Sequence, residues 1–108
     1  MRWYGRLRRS PEIAHVRRSG RRIRAGAFAL YLAPARDGAT AVAIAVPSEV
    51  GGAVERNRIR RRIRGALDAS SRRPAGRLLF MVGPAAAQAS YAQLAAQLET
   101  ALQRAETA

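Results

Sequence analysis

Between Gly51 and Leu67 the chain runs GGAVERNRIRRRIRGAL, and no other stretch restricts its fold so tightly. Six arginines fall within the nine positions 56–64, and two isoleucines stand four residues apart among them. Ile59, Ile63, Ala66 and Leu67 follow the i, i+4, i+7, i+8 spacing of one helical face. The pattern predicts a helix over about Ala53 to Ala69, approached by a flexible Gly51-Gly52 turn. Arg58, Arg60, Arg61, Arg62 and Arg64 take the remaining sides, Arg56 lies beside the stripe, and Asn57 adds an amide among them. A helix pinned by its apolar stripe and cationic elsewhere binds backbone phosphates from both sides of its ridge. Left as a bare solvated helix, it would hold six unpaired cations close together, which is costly.

The rest of the chain strengthens the electrostatic argument. Its 108 residues suit one domain, and 20 arginines against 7 acids leave a formal charge of +13. Residues 1–24 carry nine arginines and Glu12, and residues 55–77 carry nine arginines with Glu55 and Asp68. The two remaining segments, residues 25–54 and 78–108, are close to neutral. Two basic blocks that lack acidic partners repel themselves and attract a polyanion. Nucleic acid is the expected partner, with an anionic membrane surface as the lesser alternative. Lysine is absent and 24 residues are alanine, a bias in keeping with a GC-rich genome. Its physical consequence is that every cation is a planar fork suited to phosphate and to stacking.

Several function classes drop out. Without cysteine there is no disulfide framework and no thiolate metal site, and a single histidine, His15, excludes a histidine cluster. A metal-dependent nuclease needs converging carboxylates, yet no two of the seven acids lie closer than six residues in sequence. His15 has no evident local partner for acid–base work and reads as a surface or packing residue. No phosphate-cradling glycine loop is present. Leu78–Leu98 lacks charge over 21 residues, but Gly83, Pro84, Ser90 and three glutamines break it into strand, turn and helix. No apolar run follows the basic N-terminus as in a secretory signal. A cytoplasmic protein without a membrane span is the expectation.

Residues 1–9 read as a flexible basic arm with Trp3 and Tyr4 as anchors, and residues 10–106 as one domain. Ser10-Pro11-Glu12 predicts a helix start with Ser10 as cap, a helix over Pro11 to Ser19, and Gly20 as its end. Residues 22–33 read as strand, interrupted near Gly26, and Thr40 to Val46 as another. Phe28, Leu30 and Leu32 alternate with Ala27, Ala29 and Tyr31, and Val42, Ile44 and Val46 alternate with Ala41, Ala43 and Ala45. The bulky faces should form the core. The alanine faces leave a shallow floor bearing Tyr31, either open as a groove or covered by a helix. Arg77 to Val82 is a third strand. Ser90, with Gln93 in capping-box position, opens a last helix lined by Leu94, Leu98, Ala101 and Leu102. The order helix–strands–helix–strand–helix predicts an α+β two-layer sandwich.

The RNRIRRRIR of residues 56–64, preceded by GGAVE, resembles the arginine–asparagine–arginine signature of the protein subunit of bacterial ribonuclease P. Arg6-Leu7-Arg8-Arg9 before a short helix and Gly20, the FALY of residues 28–31, and the C-terminal strand–Pro–Ser-Tyr–helix pattern are similar to that family in the same order, so the resemblance spans about residues 6–105. It implies a protein that assists a catalytic RNA in removing the 5′ leader from precursor tRNA, the RNA performing the hydrolysis with Mg²⁺ held mainly by RNA and substrate. The chain alone would have no catalytic residue. The resemblance further implies a left-handed βαβ crossover through the signature helix, against the usual hand. It implies catalytic-RNA contacts from Arg56, Asn57, Arg58, Arg60 and Arg61, with Arg62 and Arg64 as further phosphate partners. It also implies a leader-binding cleft between the first helix and the sheet, where Tyr31 matches a cleft tyrosine. Two departures stand out. Ile13 and Arg17 occupy the first-helix positions where the family presents aromatic residues, so leader binding is expected to weaken or to use the Arg17 guanidinium plane. Pro47-Ser48-Glu49 stand where the family has serine and two lysines. The rival reading is a ribosomal or other structural RNA-binding protein with no role in cleavage, which accounts for the charge but not for the ordered motifs.

Overall fold

In the computed structural model, which describes residues 2–106, five strands and three helices are built on one mixed sheet. The strands are β1 (Gly5–Arg6), β2 (Arg21–Ala25), β3 (Phe28–Ala33), β4 (Ala41–Ala45) and β5 (Arg77–Val82), in the spatial order β1-β4-β5-β3-β2. The helices are α1 (Ser10–Ser19), α2 (Ala53–Ala69) and α3 (Tyr91–Glu106), and short 3₁₀ turns at Ser48–Val50 and Pro84–Gln88 flank α2 and α3. β4 and β5 are parallel neighbours joined through α2, whereas β5–β3 and β3–β2 are antiparallel.

The alternation in the strands decides which face buries what. Phe28, Leu30, Val42, Leu78, Phe80 and Val82 turn to one face. There they meet Ile59, Ile63 and Leu67 of α2 and Leu94, Leu98 and Leu102 of α3. This is the expected two-layer body, and Phe28 and Phe80 close its centre edge-to-face with ring centroids 6.2 Å apart. The opposite face is thinner. Val16 of α1 packs there on Leu7, Ala33 and Leu79, with Tyr31, Ala43 and Ala45 at the margin. A single helix thus lies across the alanine floor and adds a partial third layer.

The structure departs from the sequence reading at four places. Residues 5–6 of the expected arm pair in parallel with β4, Tyr4 and Leu7 are buried, and Trp3 Nε1 donates to the Leu67 carbonyl at 3.0 Å; Met1 lies outside the described residues. Trp3 and Tyr4 do anchor this segment, and burial pushes the Tyr4 phenol above its ordinary pKa, helped by the Asp68 carboxylate that accepts its hydroxyl at 3.2 Å. Ser10 is not a cap: it is already helical, and the Arg9 carbonyl accepts the first helical bond from Ile13 N–H at 2.9 Å. The strand over residues 22–33 is a hairpin, turned at Gly26-Ala27 with Gly26 at φ 56°. The 3₁₀ turns were not legible, because three to five residues carry no period. The expected capping box of α3 is present: Gln93 N–H donates to Ser90 Oγ at 3.1 Å and Ser90 N–H to Gln93 Oε1 at 2.9 Å.

Candidate RNA interface

α2 covers the predicted residues, and its stripe of Ile59, Ile63, Ala66 and Leu67 is buried. At 100° per residue, Val54, Asn57, Arg61 and Arg64 fall on the side opposite that stripe. With Arg60 they line a shallow open groove of about 480 Å³ along the helix. Arg60 Nη1 donates to Asn57 Oδ1 at 3.1 Å, which leaves the Asn57 amide nitrogen facing outward as a donor. Val54 is 83% exposed, an apolar side chain on a cationic ridge that charge-based reading passes over.

The other arginines sit on the flanks. Arg58 is ion-paired to Glu55 one turn earlier. Arg62 Nη1 donates to the Ala89 carbonyl at 3.2 Å and ties α2 to the turn before α3. Arg56 is half-buried, and its Nε is a buried donor without a hydrogen-bond partner among the described residues. The seven side chains assigned to this helix therefore divide. Asn57, Arg60, Arg61 and Arg64 form one surface, Arg58 and Arg62 are partly engaged within the protein, and Arg56 reaches under the ridge.

A second basic surface lies beside α1. Arg17 from α1 and Tyr31 from β3 line a groove of about 360 Å³, floored by Ala29 and Met81 and closed at one end by Pro47 and Glu49. Arg22 and Arg24 of β2 also line it, and Arg22 is the cross-strand partner of Tyr31. The sequence reading missed both, although their alternation with buried Ile23 marks them as facing away from the core. Ile13 is not in this groove. It lies one turn before Arg17 on the same face of α1 and lines an adjoining groove with Arg6, Arg8 and Arg64. The floor is thus both covered and open: Val16 fills its middle, and the two adjoining grooves run along α1 beside it.

His15 faces a third depression with Glu12, Asp37 and Arg77. Arg77 ties this corner together, with Nε 3.5 Å from Glu12, Nη2 3.4 Å from Asp37 and Nη1 donating to the Ala39 carbonyl at 2.7 Å. The Ala39 N–H bonded to Asp37, aided by Arg77, holds the Asp37 carboxyl below its ordinary pKa. Among the described residues no three histidine or acidic side chains converge into a group that could hold a metal ion.

Comparison with known proteins agrees with this arrangement. The sequence matches the Ribonuclease P family model over residues 1–106. It is 40% identical over 103 residues to the ribonuclease P protein component of Roseiflexus sp. strain RS-1, covering 93% of this chain and 84% of that one. The component from Acidothermus cellulolyticus is 43% identical over 104 residues, covering 92% and 86%. The fold superposes on the Staphylococcus aureus RNase P protein with a TM-score of 0.85 at 20% identity, covering 94% of each chain. On the Thermotoga maritima RNase P protein in complex with 1-(4-fluorophenyl)-2-thiourea the TM-score is 0.83 at 17% identity, covering 92% and 98%. Superposition is sensitive to hand, so the β4–α2–β5 crossover has the hand of those structures, the left-handed one that the resemblance implies. The ordered motifs, the sheet order and these matches together place the chain in the ribonuclease P protein family, the RNA-binding subunit of a ribonucleoprotein endoribonuclease of tRNA processing.

Proposed function

We propose that the α2 ridge is the surface that binds the catalytic RNA, and that the groove bearing Arg17 and Tyr31 receives the single-stranded 5′ leader of precursor tRNA. The observation that carries this reading is the division of labour on α2. Its apolar stripe is wholly consumed by the core, and Asn57, Arg60, Arg61 and Arg64 on the ridge meet no acidic partner among the described residues. Arg56, Arg58 and Arg62 join them as flanking phosphate partners, Arg58 at the cost of its exposed pair with Glu55, which is worth little in water. In the groove, Tyr31 offers a stacking face and Arg17 a guanidinium plane. Ile13, one turn before Arg17 on the same face of α1, continues the cleft into the adjoining groove. The RNA carries out the phosphodiester hydrolysis, with Mg²⁺ held mainly by RNA and substrate, in the cytoplasm.

The test is reconstitution with a bacterial catalytic RNA at low Mg²⁺, scoring 5′-end maturation of precursor tRNA. The wild-type chain should stimulate maturation, and Arg61→Ala and Arg58→Ala should weaken binding to the catalytic RNA and flatten its salt dependence. Tyr31→Ala should reduce affinity for leader-bearing precursor more than for mature tRNA. Equal losses on the two substrates would make Tyr31 a packing residue, and unchanged RNA affinity on neutralising the ridge would place the interface elsewhere.

A further inference from the structure

We propose that Tyr91, the first residue of α3, stacks on an unpaired base of the catalytic RNA beside the α2 ridge. This site extends the α2 interface and rests on that reading. Among the described residues, Val54 and Tyr91 are the large apolar side chains left in solvent, 83% and 45% exposed. Val54 stands on the ridge itself. The Tyr91 hydroxyl makes no hydrogen bond, and its ring meets no other ring and no cation among the described residues. A tyrosine left in this way offers a ligand both an apolar face and a free hydroxyl.

Local structure fixes where this ring stands. Ser90 and Gln93 cap α3, and Arg62 Nη1 holds the Ala89 carbonyl just before them at 3.2 Å. Tyr91 is thereby laid against α2 at Gly65, where a Cβ would touch its Cε1 and Oη at 3.8 and 3.9 Å. Val54, Arg58, Arg61 and Gly65 follow the i, i+4, i+7, i+11 spacing along the outer face of α2. Glycine is a poor helix former, and here it leaves free the space that a long side chain would contest with the ring. Past Arg61 the ridge therefore continues through an aromatic ring supplied by α3.

The surroundings of the ring suit a base better than a phosphate. A depression of about 290 Å³ beside it lies over Ala66, Ala69 and Ala95, and the one charged residue lining it among the described residues is Glu99. Glu99 repels a phosphate, whereas its carboxylate, 3.6 Å from Arg72 Nε, accepts from the amino edge of a base. Phosphates find their partners on the preceding turns of α2, which carry Arg58, Arg61 and Arg62. A second copy of this chain would bring another +13 against the same surface. Position selects which RNA supplies the base. α2 and α3 cover the sheet face opposite α1, and the groove with Arg17 and Tyr31 lies on the α1 side. An RNA bound on the ridge reaches Tyr91 without leaving that face, and unpaired RNA bases stack on aromatic side chains.

The test is binding to the catalytic RNA with no substrate present. Tyr91→Ala should weaken it about 5- to 150-fold, the loss of one stacked base. The slope of log Kd against log salt should stay the same, because no phosphate contact is lost, whereas Arg61→Ala should flatten it. Tyr91→Phe keeps the ring and should bind within about twofold of wild type. One unpaired base of the catalytic RNA should be shielded from chemical modification by wild type and by Tyr91→Phe, and become reactive in the Tyr91→Ala complex. Tyr91→Leu keeps apolar bulk without a ring, carries the comparison if Tyr91→Ala melts below the assay temperature, and should also bind weakly. Wild-type affinity in Tyr91→Leu would overturn the proposal by making Tyr91 a packing residue. Wild-type affinity in Tyr91→Ala while Arg61→Ala binds weakly would overturn it and leave the ridge reading standing. A loss seen only with precursor tRNA would overturn it by assigning Tyr91 to substrate. If neither Tyr91→Ala nor Arg61→Ala weakens binding, both readings fall.

Discussion

Ile63 and Arg61 stand two residues apart on α2 and act on different quantities. Ile63 is fully buried between the sheet and α3, so Ile63→Ala should cost about 2–5 kcal/mol of folding stability in a denaturant titration. Arg61 is exposed on the ridge, so Arg61→Ala should leave that titration within about 0.5 kcal/mol and lower RNA affinity instead. A variant at Arg61 that unfolded the chain would mean that the ridge belongs to the core. Asp37 gives a pH-dependent case. Its carboxyl is held below its ordinary value by the Ala39 amide and then Arg77, so its contribution is present above the unfolded pKa and is lost as pH falls through the folded one. Asp37→Asn should therefore melt slightly lower than wild type near neutrality, and the two curves should converge as pH drops below about 4. The effect should be small, because Asp37 lies in solvent and exposed pairs are screened.

At the level of elements, the β2–β3 hairpin shows how a local turn is locked by a distant helix. Gly26 has φ 56°, and the next amide, Ala27 N–H, donates to Gln97 Oε1 of α3 at 2.9 Å. A Cβ on Gly26 would lie 2.1 Å from Gln97 Cδ. Gly26→Ala thus imposes backbone strain and displaces the side chain that satisfies Ala27, and should cost about 1–3 kcal/mol. Gly38 separates the two effects: it also has positive φ, at 73°, but a Cβ there meets nothing within 4 Å. Gly38→Ala should cost only about 1 kcal/mol by thermal melting, and equal destabilisation at the two sites would leave the Gln97 contact without weight. The helices differ in the same way. α2 and α3 share one large apolar core, whereas α1 is held mainly by Val16, so amide exchange should be faster in α1.

For the whole molecule, charge is the governing quantity. A formal +13 on a body with a 12.8 Å radius of gyration repels itself when RNA is absent. Raising salt from low to moderate concentration should therefore raise the melting temperature of the free chain while weakening its RNA binding; parallel trends in the two would show that self-repulsion is negligible. The two basic blocks of the sequence also meet in space, since Arg6 and Arg8 share a groove with Arg64. The sequence alone determined the helix carrying the ridge, the two-sided alternation of the strands and the concentration of cations. Each of these follows from a period or a local composition that a chain carries wherever it folds. It also carried the signature that identifies the family. It did not determine that residues 5–6 form an edge strand, since two residues have no period and the pairing belongs to β4. Nor did it determine that Arg22 and Arg24 stand beside Tyr31, or that Arg6, Arg8 and Arg64 gather beside Ile13. Those placements depend on strand order and on where α1 crosses the sheet, which are set by the joint burial of faces distant in sequence.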